Sequence, residues 1–345
     1  MKTPDEEPIP ELMDPQLTTI QPGGGTVMSI ELFWGRIRRS MLRKIRPGYV
    51  SRMAQTRQGT RESLPFDPVD PRDMKYFANQ GSYWWSDSDD PFRWRDSLPF
   101  VRAGLAELVM IGSLFLVIAA ALAYLWVPLA VPPLVIFGLV VWFFRDPARP
   151  APEEMGTVVS PADGKIVQIE DVNDPTIGPA IQVGIFLSIF NVHVNRASLP
   201  GQVVAVKYRP GKFLNALRPE SARENENLDV VLKLEHEETF ENHGDSPPAR
   251  LLRIRQITGQ FARRIVCWVR TGDVLRRGEA FGMIKLGSRT ELVIPKTDGL
   301  EVCVSIGEKV KAGTTVMAKY RWQAKEQSNA PETEAGSAPV IAAGQ

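Results

Sequence analysis

A chain of 345 residues has room for one large domain with appendages, or for two small ones. Its 41 basic residues nearly balance 40 acidic ones, so composition offers no basic excess for nucleic acid, and a nucleic-acid partner is not expected. Cys267 and Cys303 stand alone with no Cys-x-x-Cys or Cys/His cluster, which argues against zinc, any other metal centre and a disulfide framework.

Residues 1 to 29, rich in Pro, Gly, Asp and Glu, read as unstructured. The next segment, "IELFWGRIRRSMLRKI", places Ile30, Phe33, Trp34, Ile37, Met41 and Ile45 at helical spacing with Arg36, Arg39, Arg43 and Lys44 between them. A basic amphipathic helix over about 30–47 either lies on an anionic bilayer or docks on the main domain, and the sequence leaves both open. The aromatic-rich stretch from 76 to 100 is too apolar to be fully disordered in water.

From Leu105 to Val127 the chain carries one charge, Glu107, over a length sufficient for a hydrocarbon core of about 30 Å. A second apolar run, Leu129 to Phe144, is shorter and is interrupted by Pro132-Pro133, so it is either a tilted span or a re-entrant piece. The pair reads as a membrane hairpin over 98–146, and its position far from the N-terminus excludes a signal peptide. Arg93, Arg95 and Arg102 precede it and Arg145 and Arg149 follow it, so both ends fall on the cytoplasmic side by the positive-inside rule. The expected location is therefore the cell (inner) membrane, with the domain at 147–322 in the cytoplasm.

That domain consists of short β-branched runs broken by Gly, Pro or Asp, the spacing of a mainly antiparallel β fold and not of βαβ units. The class is mainly β (α+β): an antiparallel β-sandwich, barrel-sandwich-like, preceded by the helical hairpin and by a partly disordered N-terminal extension at 1–97. A weak repeat pairs "GDVLRRG" (272–278) with "GEKVKAG" (307–313), and "PADGKI" (161–166) with "KTDGLEV" (296–302). Such units recur in lipoyl-type folds, though Lys296 is a poor swinging-arm residue. Residues 323–345 read as a disordered, solvated tail.

Three stretches carry candidate chemistry. "SPADGK" presents Asp163 in a turn, an ordinary place for aspartate before glycine. "FNVHVNRAS" alternates Asn191, His193 and Asn195, which on a strand would form one polar face; a lone histidine is more often plain structure. "FGMIKLGSRTELVIP" reads as one strand interrupted by Gly287-Ser288, which alone would be a bulge. A serine after glycine is also able to attack the preceding carbonyl when a base takes its proton, and a histidine oriented by a carboxylate is the usual base.

Taken in order, "FFRDPAR", "SPADGKI", "FNVHVNRASLPGQV", "YRPGKFLNA", "SARENENLDVVL", "GQFARRIVCWVRTGD" and "RRGEAFGMIKLGSRTELVIP" closely resemble the short, bacterial and archaeal-type branch of the phosphatidylserine decarboxylase proenzyme family. The resemblance runs from about residue 98 to 322 and includes the hairpin.

It implies self-cleavage between Gly287 and Ser288, with Ser288 becoming a covalent pyruvoyl cofactor that forms a Schiff base with the serine headgroup and draws electrons from the breaking carboxylate bond. It implies His193 as the base and Asp163 as its orienting carboxylate. The products would be a β chain, 1–287, and an α chain, 288–345, that stay associated; a homodimer is compatible with this. Other branches place a second histidine where this chain has Phe190, so the proton donor is His193 or bound water. Lys212, Arg196, Arg263, Arg264 and Asn195 are candidates for contact with the phospholipid substrate, although ordinary surface charge explains the basic ones almost as well.

Two other classes compete: a membrane-tethered adaptor without catalysis, which leaves Gly287-Ser288 unexplained, and a pyruvoyl decarboxylase of a soluble amino acid, which leaves the hairpin unexplained. A related serine-headgroup lipid satisfies the same headgroup chemistry.

Overall fold

A computed structural model describes residues 10–234, 251–260, 264–285 and 287–320. The tail at 323–345, Arg263, His236 and His243 lie outside the described residues.

The described chain starts with helices α1 (Thr26–Ile45) and α2 (Pro47–Thr56). The hairpin helices follow, α3 (Leu105–Leu125) and α4 (Val131–Phe143), with a one-turn α5 (Ser221–Glu224) later on. The strands, in chain order, are β1 (Thr157–Val159), β2 (Gly164–Asp174), β3 (Gly178–Leu187), β4 (Val194–Arg196), β5 (Gly201–Arg209), β6 (Asn227–Leu234) and β7 (Leu251–Ile257). After these come β8 (Arg264–Cys267), β9 (Val274–Leu275), β10 (Ala280–Lys285), β11 (Ser288–Pro295), β12 (Leu300–Val302), β13 (Lys309–Val310) and β14 (Val316–Tyr320).

The named strands pair antiparallel throughout, as the β-branched runs predict. A curled eight-stranded sheet has the order β13-β2-β3-β11-β7-β6-β5-β9, and two three-stranded sheets, β1-β14-β12 and β4-β10-β8, complete the domain. Side chains from all three meet in one core that includes Ile166, Ile185, Ile254, Ile265, Phe281, Leu292 and Met317. The β4-β10-β8 sheet is apolar on its other face too. There Val194, Val266 and Met283 pack with Ile20, Met28, Tyr76 and Phe77 of the extension and with Phe143 and Phe144 at the foot of α4. This small sheet is therefore sandwiched between the main core and the helical part of the chain.

The sequence repeat is structural. Gly272 and Gly307 both have φ +95°, and Gly278 and Gly313 have +76° and +74°. Each unit contributes a two-residue strand, β9 or β13, and these are the two edges of the eight-stranded sheet.

Two expectations change. Residues 10–25 are packed on the domain: Leu17 and Ile20 are buried, and backbone bonds run from Glu11 N to Val204 O and from Cys267 N to Ile20 O. Such an extended strap has no hydrophobic period, so composition alone made it look unstructured. Second, "FGMIKLGSRTELVIP" is not one strand. β10 ends at Lys285 in the small sheet, and β11 begins at Ser288 in the large one.

α3 lies in a 24-residue segment, Arg102–Leu125, in which an 18-residue window has mean hydropathy 2.5 and is mostly exposed, making it the one described helix long and apolar enough to cross a membrane. The 13 residues of α4 reach only about 20 Å at 1.5 Å per residue, so by length that helix does not cross alone. The feet of the hairpin are joined by Val101 N to Phe144 O at 3.0 Å and Asp146 N to Pro99 O at 2.8 Å, which returns the chain to the place it left.

Candidate functional site at a sheet corner

Gly287 holds the turn between the two sheets with φ +57°, a left-handed conformation that glycine adopts without penalty. Where a Cβ on Gly287 would stand there is open space, so glycine is required by conformation and not by crowding. The crowding is on the other side. A Cβ on Gly259 would lie 2.0 Å from the Gly287 carbonyl oxygen, so the bare Cα of Gly259 is what that carbonyl packs against.

Ser288 opens β11, a strand whose eight residues are all buried. It pairs with Leu187 of β3, and from Arg289 onward β11 also pairs with β7. The Ser288 hydroxyl is completely enclosed and has no hydrogen-bond partner among the described residues. Orphaned buried hydroxyls are costly and uncommon.

A second orphan is His193 Nε2, on a ring that is likewise fully buried. The Asn-His-Asn row does not form, because the chain at Asn191 is a turn. The Asn191 side-chain oxygen accepts from Ser188 N at 2.9 Å and from Ser188 Oγ at 2.7 Å. Its backbone oxygen lies 2.9 Å from His193 Nδ1. A carbonyl only accepts, so Nδ1 carries the proton and Nε2 presents a lone pair. Burial holds the ring well below the usual histidine range, at about 4, and nearby Arg145 acts in the same direction. His193 is thus neutral at ordinary pH, in the tautomer of a base. Phe143, the last residue of α4, packs on the ring with centroids 4.6 Å apart.

Asp163 does not hold that imidazole. Its carboxylate accepts from Arg149 at 2.9 Å and from Ala312 N at 2.8 Å, tying the stretch after the hairpin to the loop before β14. The Asn191 carbonyl occupies the orienting place expected of Asp163. Backbone acceptors leave no signature in a sequence, so only coordinates reveal one.

Asn195 sits buried in β4 and bridges the sheets. Its Nδ2 donates to Thr290 Oγ1 at 3.0 Å, and its Oδ1 accepts from Gln256 Nε2 at 2.9 Å. The first of these bonds ties the position two residues beyond His193 to the one two beyond Ser288. The basic candidates are committed elsewhere. Arg196 pairs with Asp146 at 2.6 Å and donates to Gly278 O at 2.9 Å, while Lys212 pairs with Glu224 at 2.7 Å at the surface. The Arg264 guanidinium fills the space beside Gly25, just before α1.

One pair was not foreseen. Glu107, the single charge of the first apolar run, is buried in the first turn of α3 and forms an ion pair with Lys285, the last residue of β10. Lys285 also reaches Gln21 Oε1 at 3.5 Å, and burial lowers its affinity for a proton against the pull of Glu107. A lone acid in an otherwise apolar helix was the available signal, but nothing in the sequence named its partner.

Against known proteins, the family model described as "Phosphatidylserine decarboxylase" matches residues 136–318. The chain is similar to the protein named phosphatidylserine decarboxylase proenzyme from Rhodopirellula baltica, with 62% identity over 248 residues, which is 72% of this chain and 99% of that protein. Proteins of the same name from Carboxydothermus hydrogenoformans and Syntrophus aciditrophicus are 40% and 39% identical, over 66% and 67% of this chain and 99% of each relative.

The Glu107–Lys285 pair makes a prediction of its own. Removing one partner strands a buried charge, which typically costs about 3–5 kcal/mol, whereas replacing both by apolar residues is often near neutral. Glu107→Leu and Lys285→Met should each lower the unfolding temperature in detergent, and the double variant should recover most of that loss. A double variant as unstable as the sum of the two would show that the residues are not coupled.

Proposed function

Since the chain belongs to the phosphatidylserine decarboxylase proenzyme family, and so converts phosphatidylserine to phosphatidylethanolamine and carbon dioxide, we propose that the Gly287–Ser288 bond is the one it cuts in itself and that Ser288 becomes its pyruvoyl group. Membership removes the adaptor and soluble-substrate readings. One observation carries the assignment: a buried hydroxyl and a buried imidazole lone pair, both without partners, are set on elements joined by the Asn195–Thr290 bond.

In the precursor, His193 Nε2 takes the Ser288 hydroxyl proton as Oγ bonds to the Gly287 carbonyl carbon. The bond from that carbon to the Ser288 nitrogen then breaks, the nitrogen takes the proton back, and an ester replaces the peptide. Loss of the Ser288 α-proton with cleavage of Cβ–Oγ releases the Gly287 carboxylate and leaves dehydroalanine. Water then replaces its nitrogen, which departs as ammonia. The left-handed turn at Gly287 and the bare Cα of Gly259 leave the carbonyl room to change geometry.

The pyruvoyl fits this place, because the open space beside Gly287 adjoins the start of β11. When formed, it supplies an electron sink for loss of the headgroup carboxylate. The protein's own part is to exclude water with the buried walls of both sheets and to offer His193 Nε2 as a proton carrier once the hydroxyl is gone. The site lies at the foot of an apolar hairpin, where Arg145 and Trp142 both donate to the Phe190 carbonyl, at 2.9 and 3.0 Å. This supports a membrane-bound enzyme that takes its substrate's headgroup at the bilayer surface, with the domain on the cytoplasmic side as the flanking arginines indicate.

Three outcomes test the reading. Ser288→Ala should remain one chain of 38.4 kDa by intact mass and release no carbon dioxide from phosphatidylserine, whereas the parent gives two chains. Release of carbon dioxide by that variant would refute the assignment. Gly259→Ala should slow cleavage at least tenfold on a gel time course, because its methyl group collides with the Gly287 carbonyl. An unchanged rate would mean that this packing is irrelevant. For a precursor made cell-free and shifted across pH, cleavage should be level from 8 to about 5 and fall as the pH drops through about 4, where buried His193 takes up its proton. A midpoint near 6.5 would exclude a buried His193 as the base. Stability follows the same sign: the unfolded ring protonates near 6.5 and the folded one near 4, so its contribution is complete above 6.5 and is lost as the pH falls toward 4.

A further inference from the structure

α1 was open to two readings, and its ion pairs distinguish them. Arg38 and Arg39 turn inward to Asp73, with Arg39 at 3.0 Å, and Arg39 also stacks on Phe66. Glu31 accepts from Lys75 at 2.8 Å and from Tyr76. These contacts fix which side of the helix faces the protein. What remains outside is the whole apolar stripe: Ile30, Phe33, Trp34, Ile37, Met41 and Ile45 are 36–69% exposed. α1 docks through these pairs and through Met28 and Leu32, and the stripe is left outside.

Beside that stripe runs an open groove of ≈ 580 Å³ lined by Arg36, Arg39, Ser40, Arg43, Lys44 and Phe66. Arg36 and Lys44 are exposed and make no ion pair among the described residues, while Arg43 donates to the Asp67 carbonyl. An apolar, aromatic stripe bordered by free cations matches a bilayer interface in both of its layers, with acyl chains below and phosphates above. α1 also touches α3, so the stripe lies at the foot of the membrane-length helix.

We propose that α1 is a second membrane contact, lying in the plane of the bilayer and binding anionic phospholipid through its cationic groove. This rests on the membrane reading given above. The substrate carries one net negative charge and the product none, because decarboxylation removes the carboxylate. A cationic edge beside the site therefore concentrates substrate around the enzyme and does not retain product. None of the segment from 26 to 45 lies within the residues matched by the family model, so this contact is an addition to the decarboxylase domain.

The test uses the full chain reconstituted into phosphatidylcholine vesicles with and without 20 mol% phosphatidylserine. A spin label at Ile37→Cys, in a Cys303→Ser background that leaves buried Cys267 in place, should be accessible to oxygen and shielded from an aqueous nickel chelate. A label open to nickel would overturn the proposal. So would spin–spin broadening of the label that is lost on dilution with unlabelled chain, which would place a second copy of the chain on the stripe. Arg36→Gln with Lys44→Gln spares the Arg43 bond. It should raise the phosphatidylserine fraction needed for half-maximal rate several-fold, leave kcat unchanged and flatten the salt dependence. An unchanged half-saturation would refute the headgroup role. The label reports depth even in an inactive preparation, so failure of the enzyme reading is distinguishable from failure of this one.

Discussion

Everything at the site depends on one bend. The chain leaves the small sheet at Lys285 and enters the large sheet at Ser288, with Gly287 left-handed between them. A break at a corner costs no ladder bond. After scission β10 would remain with β4 and β8, and β11 would remain between β3 and β7. β13 and β14 would still pair with β2 and β1. β11 and β13 of the downstream fragment pair only with upstream strands, and β14 pairs with upstream β1 as well as with its own fragment's β12. The two would therefore be interlocked by strand pairing that no single opening releases.

The same bend bears on the orphaned Ser288 hydroxyl. A strand that began earlier would place Ser288 within a continuous ladder, its side chain fixed by neighbours on both sides. At the corner the hydroxyl has no partner among the described residues. His193 lies in the turn before β4, its ring held by its own backbone two residues back. Among the buried polar atoms without a partner in the described residues, these two are of complementary character, a donor and a lone pair. Strain of this kind is kept where structure on every side enforces it.

What could be read from the sequence follows from how local each signal is. Strand identity, the apolar hairpin and the Gly-Ser pair are short-range features, and all were legible. The glycine repeat was legible as well, since matching turns demand matching residues. The sheet switch was hidden, because β10 and β11 are both apolar strands and a period of two does not say which sheet a strand enters. The pairing of Asp163 with Arg149 was hidden for a different reason: a carboxylate near a histidine in motif order suggests a dyad, and only geometry shows where it bonds. The strap at 10–25 was hidden because it packs through isolated residues such as Leu17 and Ile20.

The hairpin is more than an anchor. Its first helix sends Glu107 to Lys285, on the strand that leads into Gly287, and its second ends in Phe143, packed on His193. The two feet therefore hold the two sides of the corner: the strand that leads toward Gly287 and the turn that carries His193. A buried ion pair resists separation, because parting its members leaves charge in an apolar setting. Phe143 in turn supplies the apolar wall that keeps His193 neutral. In this arrangement the apolar helices and the corner at Gly287 are one packed unit. On the proposed membrane reading, the position of the hairpin would set the height of the Gly287–Ser288 corner above the acyl chains.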